Sequence, residues 1–471
     1  MAEKTIVQGN AFSYKGKMLE VHAYTDLFTF GSVKLDSILL PVDGTFRLSV
    51  DLEKTGLYFL KIGRVYGHVF MVPGDEYTIV MPEPIEADRF SPAKNVFVQP
   101  EIFEANSRLN YQITRLEKSI NQFFIGKTEG DFRLRSGGNI RQEADSFKLV
   151  LADDFKEVES EFFQDYFHYR LAEFELVTRH PKDYVYERYF ANRSLAFDQL
   201  SFANAFGMLY ENYLSPHSLK PFSDSAKAAI LRADMSRLAL YLSADPLLNN
   251  PEITELVIAI ELHELGTTRA YDQQIILKCL DSLATQTNSI EIRHIVNNSK
   301  RLMLKLAPGT RAPNFVFADV VGNLYRISEY EGGYLYIQFF QKFDSETLRQ
   351  MSLMKVLREG YGADIAMFSF STNESLKTLR EIPKKHDFDW FFGKIGSPDK
   401  VIEDYDLRAM PQYFFIDEDL NIIQNPTPPP GSSIERKFAK IWNEKHPNKA
   451  VPFKLQPPVL DEQDMDQAIE K

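Results

Sequence analysis

The sequence predicts a multi-domain α+β protein: an N-terminal β-sandwich, an all-α middle region and a C-terminal α/β domain. Three observations predict it. Residues 5–82 alternate apolar and polar side chains with period two, the pattern of half-buried strands. Residues 101–305 carry apolar side chains at helical spacing, interrupted by glycine and proline. Residues 307–442 alternate strand and helix signals, the logic of βαβ units and of a sheet with helices on both faces. At 471 residues the chain is too long for one hydrophobic core. The expected boundaries are 1–84 for the sandwich, 85–100 for a linker, 101–306 for the helical domain, 307–446 for the α/β domain and 447–471 for an acidic, proline-containing tail.

In the first segment, Leu19–Tyr24, Phe46–Val50 and Tyr77–Met81 each alternate. Turn signals separate them: Tyr14-Lys15-Gly16-Lys17, Asp43-Gly44, Lys54-Thr55-Gly56 and Pro73-Gly74-Asp75. Asp-Gly favours tight hairpins because glycine tolerates positive φ. Pro82-Glu83-Pro84 ends the unit, since proline cannot continue a ladder. The middle region starts with Ile102, Leu109, Ile113, Leu116 and Ile120, and continues through Phe147, Leu149, Leu151, Phe155 and Val158. Further helical blocks are expected at Phe162–Val177, Glu187–Leu200, Ala226–Leu242, Ile253–Leu265 and Asp272–Leu283. Breakers fall at Gly137-Gly138, Pro181, Pro216, Pro221, Asp245-Pro246 and Pro251. Asp224 or Ser225 is expected to cap one helix, and Pro251 suits the first turn of another. The aromatic run Phe155, Phe162, Phe163, Tyr166, Phe167, Tyr169 and Phe174 reads as helix-on-helix core, with the lining of a ligand pocket as the alternative.

Composition narrows the function. A net charge of −12 argues against a nucleic-acid partner, which wants a basic face. No run of about 18 apolar residues exists, so no membrane-spanning helix is expected. The single cysteine, Cys279, lies in the apolar stretch Ile275–Leu280 and reads as a small buried hydrophobe. The nine histidines are scattered, without HExxH spacing. No Gly-x-Ser-x-Gly elbow, Walker loop or dinucleotide fingerprint appears. Catalytic residues, metal ligands and cofactors are therefore expected to be absent.

The C-terminal segment carries the most specific signals. Gly309-Thr310-Arg311-Ala312-Pro313-Asn314-Phe315 is followed by Asp319-Val320-Val321-Gly322, Gly332-Gly333 and the strand Tyr334–Phe340. Then come Phe343-Asp344-Ser345-Glu346-Thr347, a helix with Leu348, Met351, Met354 and Leu357, and a strand at Asp364–Phe370 whose sequel Ser371-Thr372-Asn373-Glu374 opens a helix. Last is Tyr405-Asp406-Leu407-Arg408-Ala409-Met410-Pro411-Gln412-Tyr413-Phe414-Phe415-Ile416-Asp417. In this order the motifs resemble a thioredoxin-like domain of the reductase/peroxiredoxin superfamily. The resemblance implies a cis bond at Met410–Pro411, facing the turn where the family keeps its cysteine pair. That turn holds no cysteine here: Asp344 aligns with the first position and Thr347 with the second. Thiol exchange needs a thiolate, so the resemblance implies a fold retained without its reaction. A carboxylate suits the same helix N-terminus as a cap.

The order of sandwich, helical region and thioredoxin-like end also resembles exported proteins of some Gram-negative bacteria. Residues 1–7 lack the apolar core of a signal peptide, and a strand is expected to begin at once. This fits a mature chain whose leader, with or without a lipid anchor, has been replaced by Met1. Expected localisation is periplasmic or outer-membrane-associated rather than cytoplasmic. The expected function is a redox-inactive binding or scaffold protein. A protein or peptide partner would dock in a groove formed by Phe340, Phe343, Asp344, Thr347, Met410 and Pro411, with Phe340, Phe343 and Met410 as its rim. The alternatives are an oxidoreductase-family protein acting with a cysteine-bearing partner, and a non-thiol enzyme with its site in the helical domain.

Overall fold

The computed structural model describes residues 2–83, 95–125, 140–215, 220–268 and 270–447. It is a mixed α/β structure with three sheets, in two compact units. The first takes in the N-terminal strands and Val96–Met303, and the second begins at Leu304.

The first unit opens with β1 (Glu3–Asn10), β2 (Met18–Tyr24), β3 (Ser32–Leu39), β4 (Thr45–Leu52), β5 (Gly56–Ile62), β6 (Val65–Met71), β7 (Glu76–Val80), β8 (Val96–Phe97) and β9 (Glu101–Glu104). They form two sheets, ordered β4-β1-β7-β9 and β3-β2-β5-β6-β8. Alternation explains why the sheets face each other. Phe46, Leu48 and Val50 on β4 meet Leu19 and Val21 on β2 and Leu60 on β5 in one core. The Asp43-Gly44 turn works as its chemistry demands. Asp43 accepts from the Thr45 amide at 3.1 Å. Gly44 sits at φ 70°, where a Cβ would lie 2.4 Å from the Phe12 Cα. Two expectations fail here. The segment 85–100 contains strand β8, which pairs in parallel with β6. Ile102 lies on β9, paired with β7, rather than on a helix. In both cases a sheet edge recruited a short segment whose own pattern is too brief to show period two.

The helices of this unit are α1 (Leu109–Phe124), α2 (Ile140–Asp154), α3 (Glu161–Val177), α4 (Lys182–Tyr189), α5 (Leu200–Leu209), α6 (Ser223–Leu231), α7 (Met235–Leu242), α8 (Pro251–Thr267), α9 (Gln273–Gln286) and α10 (Ile290–Leu304). They pack directly on the β layers. Leu57 and Phe70, on the outer face of the second sheet, share a core with Leu109, Ile113, Phe163 and Tyr166. Asn110 clamps the junction: its amide donates to the Phe70 carbonyl at 2.7 Å, and its Oδ1 accepts from the Phe70 N–H at 2.8 Å. Most of the aromatic run is core: Phe155, Phe163, Tyr166, Tyr169 and Phe174 are buried, whereas Phe162 and Phe167 are half-buried. Cys279 is fully buried on α9, its thiol pushed up to about 12 by burial.

Several helix boundaries differ from expectation. The block 187–200 is two helix ends and a loop, because Asn192 takes φ 60° after α4 closes. The block 226–242 is two helices split where Ala233 takes φ 53°. Neither reversal is announced by glycine. Neither Asp224 nor Ser225 caps α6; Phe222 holds the N-cap position without a side-chain bond. Leu149 is exposed on α2, and Phe155 and Val158 lie beyond its end. Pro251 does start α8, capped by Asn250, and Asp272 caps α9. Gly137-Gly138, Pro216, most of the expected linker and nearly all of the expected tail lie outside the described residues.

The second unit runs β10 (Val316–Asp319), β11 (Leu324–Arg326), β12 (Tyr334–Phe340), α11 (Ser345–Tyr361), β13 (Ile365–Ser371), α12 (Leu376–His386), β14 (Phe391–Ile395), α13 (Pro398–Asp404), β15 (Gln412–Ile416), β16 (Ile422–Gln424) and α14 (Ile434–Lys445). Its sheet is ordered β11-β10-β14-β13-β12-β15-β16. The strands β12, β13 and β14 are parallel to one another, while β15 runs antiparallel to β12. Both faces are covered. Leu335, Ile337 and Phe339 join Val401 and Ile402 of α13, while Tyr336 joins Met354 of α11 and Phe438 of α14.

One buried acid gives the first unit a pH signature. Glu261, on α8, accepts from the Leu214 N–H at 2.7 Å, and burial pushes its pKa up to about 7 against an ordinary 4.5, its backbone donors opposing the shift. A carboxyl that holds its proton more tightly folded than unfolded stabilises the fold below the unfolded value, and that contribution is lost as pH rises to the folded value. Urea unfolding followed by circular dichroism, compared with Glu261→Gln, should therefore show the unsubstituted protein losing about 1–3 kcal/mol relative to the variant between about pH 4.5 and 7, then no further change.

Candidate functional site

In the parallel part of an α/β sheet, side chains converge at the carboxyl ends of the strands. Here that end is built by the turn after β12, the loop after β13 and the segment leading into β15. Register brings the first and last together, since Phe339 pairs with Gln412. The Met410–Pro411 peptide that precedes Gln412 is cis, as the resemblance implied. Thr372, just past β13, ties the loops to one another. Its amide donates to the Phe340 carbonyl at 3.0 Å, and its hydroxyl reaches the Met410 sulfur at 3.8 Å.

Asp344 is the N-cap of α11, accepting from the Thr347 amide at 2.8 Å. The first amides of a helix have no partner within it, and a carboxylate there meets both the unpaired donors and the positive end of the helix dipole. Thr347 is buried, its hydroxyl turned to the Lys342 carbonyl at 3.0 Å and away from solvent. Glu346 does not join Asp344 around a cation. It is held by both Arg349 nitrogens, at 2.9 and 2.7 Å, and that guanidinium keeps its carboxyl below the usual range.

The remaining expected residues divide. Phe343 is half-buried, its ring 5.3 Å from the His386 ring. Met410 and Pro411 are likewise half-buried. Phe340 is fully buried among Met351, Leu379, Ile382, Phe388 and Phe392. It therefore forms no rim: β12 is central, so both of its faces are covered.

Sequence reasoning missed the polar residues that fix these loops. Glu374 accepts from the Phe343 amide at 2.9 Å, and Ser371 accepts from the Glu374 amide at 2.8 Å. The stretch 372–374, just past the end of β13, is therefore a loop that braces the turn, and Ser375 caps α12 instead. Beneath it runs a hydrogen-bond chain. Trp390 donates to Ser369 at 2.9 Å and Ser369 to Gln338 at 2.9 Å. Gln338 donates to the Tyr413 hydroxyl at 2.8 Å, which donates to Gln350 at 3.5 Å, and Gln350 donates to Glu346 at 2.8 Å. The only advance sign was a glutamine within an otherwise apolar strand.

No family model matches the chain. The thiol-disulfide oxidoreductases ResA of Bacillus thuringiensis subsp. konkukian and of Bacillus cereus are each 24% identical over 121 residues, which is 26% of this chain and 69% of theirs. Over those 121 residues the chain is similar, at low identity, to thiol-disulfide oxidoreductases of the thioredoxin-like kind. Among solved structures, the thioredoxin domain of a thiol-disulfide oxidoreductase from Bacteroides vulgatus is 19% identical, covering 25% of this chain and 86% of that one with a TM-score of 0.23. A thiol:disulfide interchange protein from Bacteroides sp. is 16% identical, covering 30% and 91% with a TM-score of 0.26.

The cap can be measured by itself. Both tryptophans of the chain, Trp390 and Trp442, lie in this unit, so their fluorescence reports its unfolding. Asp344→Ala should lower its stability by about 0.5–2 kcal/mol in urea, and Asp344→Asn by clearly less, because asparagine also caps.

Proposed function

We propose that this protein is a redox-inactive, thioredoxin-like binding protein of the cell envelope. It takes an extended peptide or a partner protein between the β12–α11 turn and the Met410–Pro411 segment. The observation that carries the reading is the cap: the position aligned with a redox cysteine holds Asp344, whose carboxylate is engaged by the Thr347 amide. The chain's one cysteine supports it too, because Cys279 is fully buried on α9, in the other unit, with its thiol raised to about 12. A thiol so protonated is a poor nucleophile. The surface left for a partner is Phe343, Asp344, Met410 and Pro411. It offers half-buried apolar atoms beside an exposed carboxylate, which suits strand-like recognition with a basic residue opposite Asp344. No helix among the described residues is long and apolar enough to cross a membrane, and an envelope location is tested by fractionating cells that express the full-length gene.

Two measurements test the reading. Insulin reduction and peroxidase assays should give no turnover above the rate without protein. Turnover that survives Cys279→Ser would sink the proposal. Fluorescence anisotropy with a library of extended, labelled peptides should find binders that Met410→Glu weakens by roughly tenfold or more. Peptides that bind this variant as well as the unsubstituted chain would move the partner site elsewhere.

A further inference from the structure

A second site lies in the helical part of the first unit, where α3 and α4 and the loop after α4 enclose an open groove of about 510 Å³. That size lies within the range of small-molecule sites. Phe167 and Leu171 of α3 line it with apolar surface, and Asp165, Arg188 and Arg193 line it with charge. Among the described residues neither guanidinium forms an ion pair. Arg188 meets the Tyr184 hydroxyl at 3.5 Å and the Tyr189 ring, with Glu175 acting on it at longer range, and Arg193 meets Tyr169. Both side chains are exposed and line the groove, so an anion can reach the two guanidiniums together. His168 adds a neutral contact. Its Nε2 lies 3.2 Å from the Tyr189 carbonyl, which can only accept, so Nε2 carries the proton and Nδ1 is left as an acceptor. Burial lowers its pKa, and the nearby Arg193 and Arg188 push the same way against Asp165.

We propose that this groove binds a small organic carboxylate, its carboxylate held by Arg188 and Arg193 and its apolar body laid on Phe167 and Leu171. The apolar side chains beside the guanidiniums favour an organic anion over phosphate, which has no apolar body to lay on them. Guanidinium forks suit carboxylate geometry. The site is separate from the β12–α11 turn and stands or falls independently of the function proposed above.

Isothermal titration of the intact chain tests it with N-acetyl-phenylalanine, its uncharged amide and inorganic phosphate. The acid should bind, and the amide and phosphate should each bind at least roughly tenfold more weakly. Binding should shift the His168 imidazole signals in the NMR spectrum. Arg188→Gln with Arg193→Gln should weaken the acid by roughly tenfold or more with an unchanged far-UV spectrum, and Asp165→Asn should tighten it. Absence of binding up to ~10 mM, equal binding of acid and amide, tighter binding of phosphate, or a double arginine variant that binds as well as the unsubstituted chain would each overturn the proposal.

Discussion

The second unit depends on one constraint: a glutamine amide placed in the middle of a central strand must find partners, because water cannot reach it. Gln338 is fully buried on β12, and an unpaired buried amide destabilises by about 1–3 kcal/mol. Its Oε1 accepts from Ser369 on β13, and its Nε2 donates to Tyr413 on β15. The side chain therefore pins both neighbouring strands to one register, in addition to their backbone ladders. The donors run in a single direction, from Trp390 to the carboxylate of Glu346. Hydrogen bonds aligned this way polarise one another, and Arg349 neutralises the end of the chain. The first turn of α11 is thereby anchored from below by Gln350 and Glu346, and from its start by Asp344.

The first unit solves a different problem. Its outer sheet face carries Leu57 and Phe70, which would be a sticky patch if left to solvent. Helix α1 covers it, and the Asn110 clamp on Phe70 fixes where α1 lies. The backbone groups of Phe70 on that face are thus paired by a helix side chain. This explains why the strands and helices up to Met303 form one compact unit although their sequence patterns change sharply near residue 100.

What was legible in the sequence is what local chemistry decides. Asp344 as an N-cap, Pro251 at a helix start and the Asp43-Gly44 turn follow from residues a few positions apart. The βαβ order of the last segment follows from alternating periodicity, and the cis Met410–Pro411 bond came only through family resemblance. What stayed hidden is what distance decides. Ser369 is 31 residues from Gln338, and Tyr413 is 75; Glu374 is 31 residues from Phe343. Phe340 and Phe343 look alike in sequence, yet one is core and the other is half-open, because strand alternation cannot say that both faces of β12 are covered. The helix break at Ala233 was silent because alanine gives no sign of a positive φ, whereas Asn192 carried only the weak sign that asparagine tolerates one.

The same accounting of partners separates the two charged clusters of the helical region. Asp145, Glu175 and His180 bring three ligand-type side chains together, an arrangement that invites a metal reading. Lys148 closes it: its ammonium lies 2.8 Å from Asp145 and also bonds the fully buried Glu175. A cation already occupies the position, and it is covalently part of the chain. Displacing it would leave an ammonium half-buried without its carboxylates, which is strongly unfavourable. The groove of Arg188 and Arg193 is the converse case. Its guanidiniums are exposed, form no ion pair among the described residues, and lie beside the apolar side chains of Phe167 and Leu171. A cluster whose cation is already seated between its carboxylates serves the fold, whereas guanidiniums that no carboxylate holds are left able to bind something else.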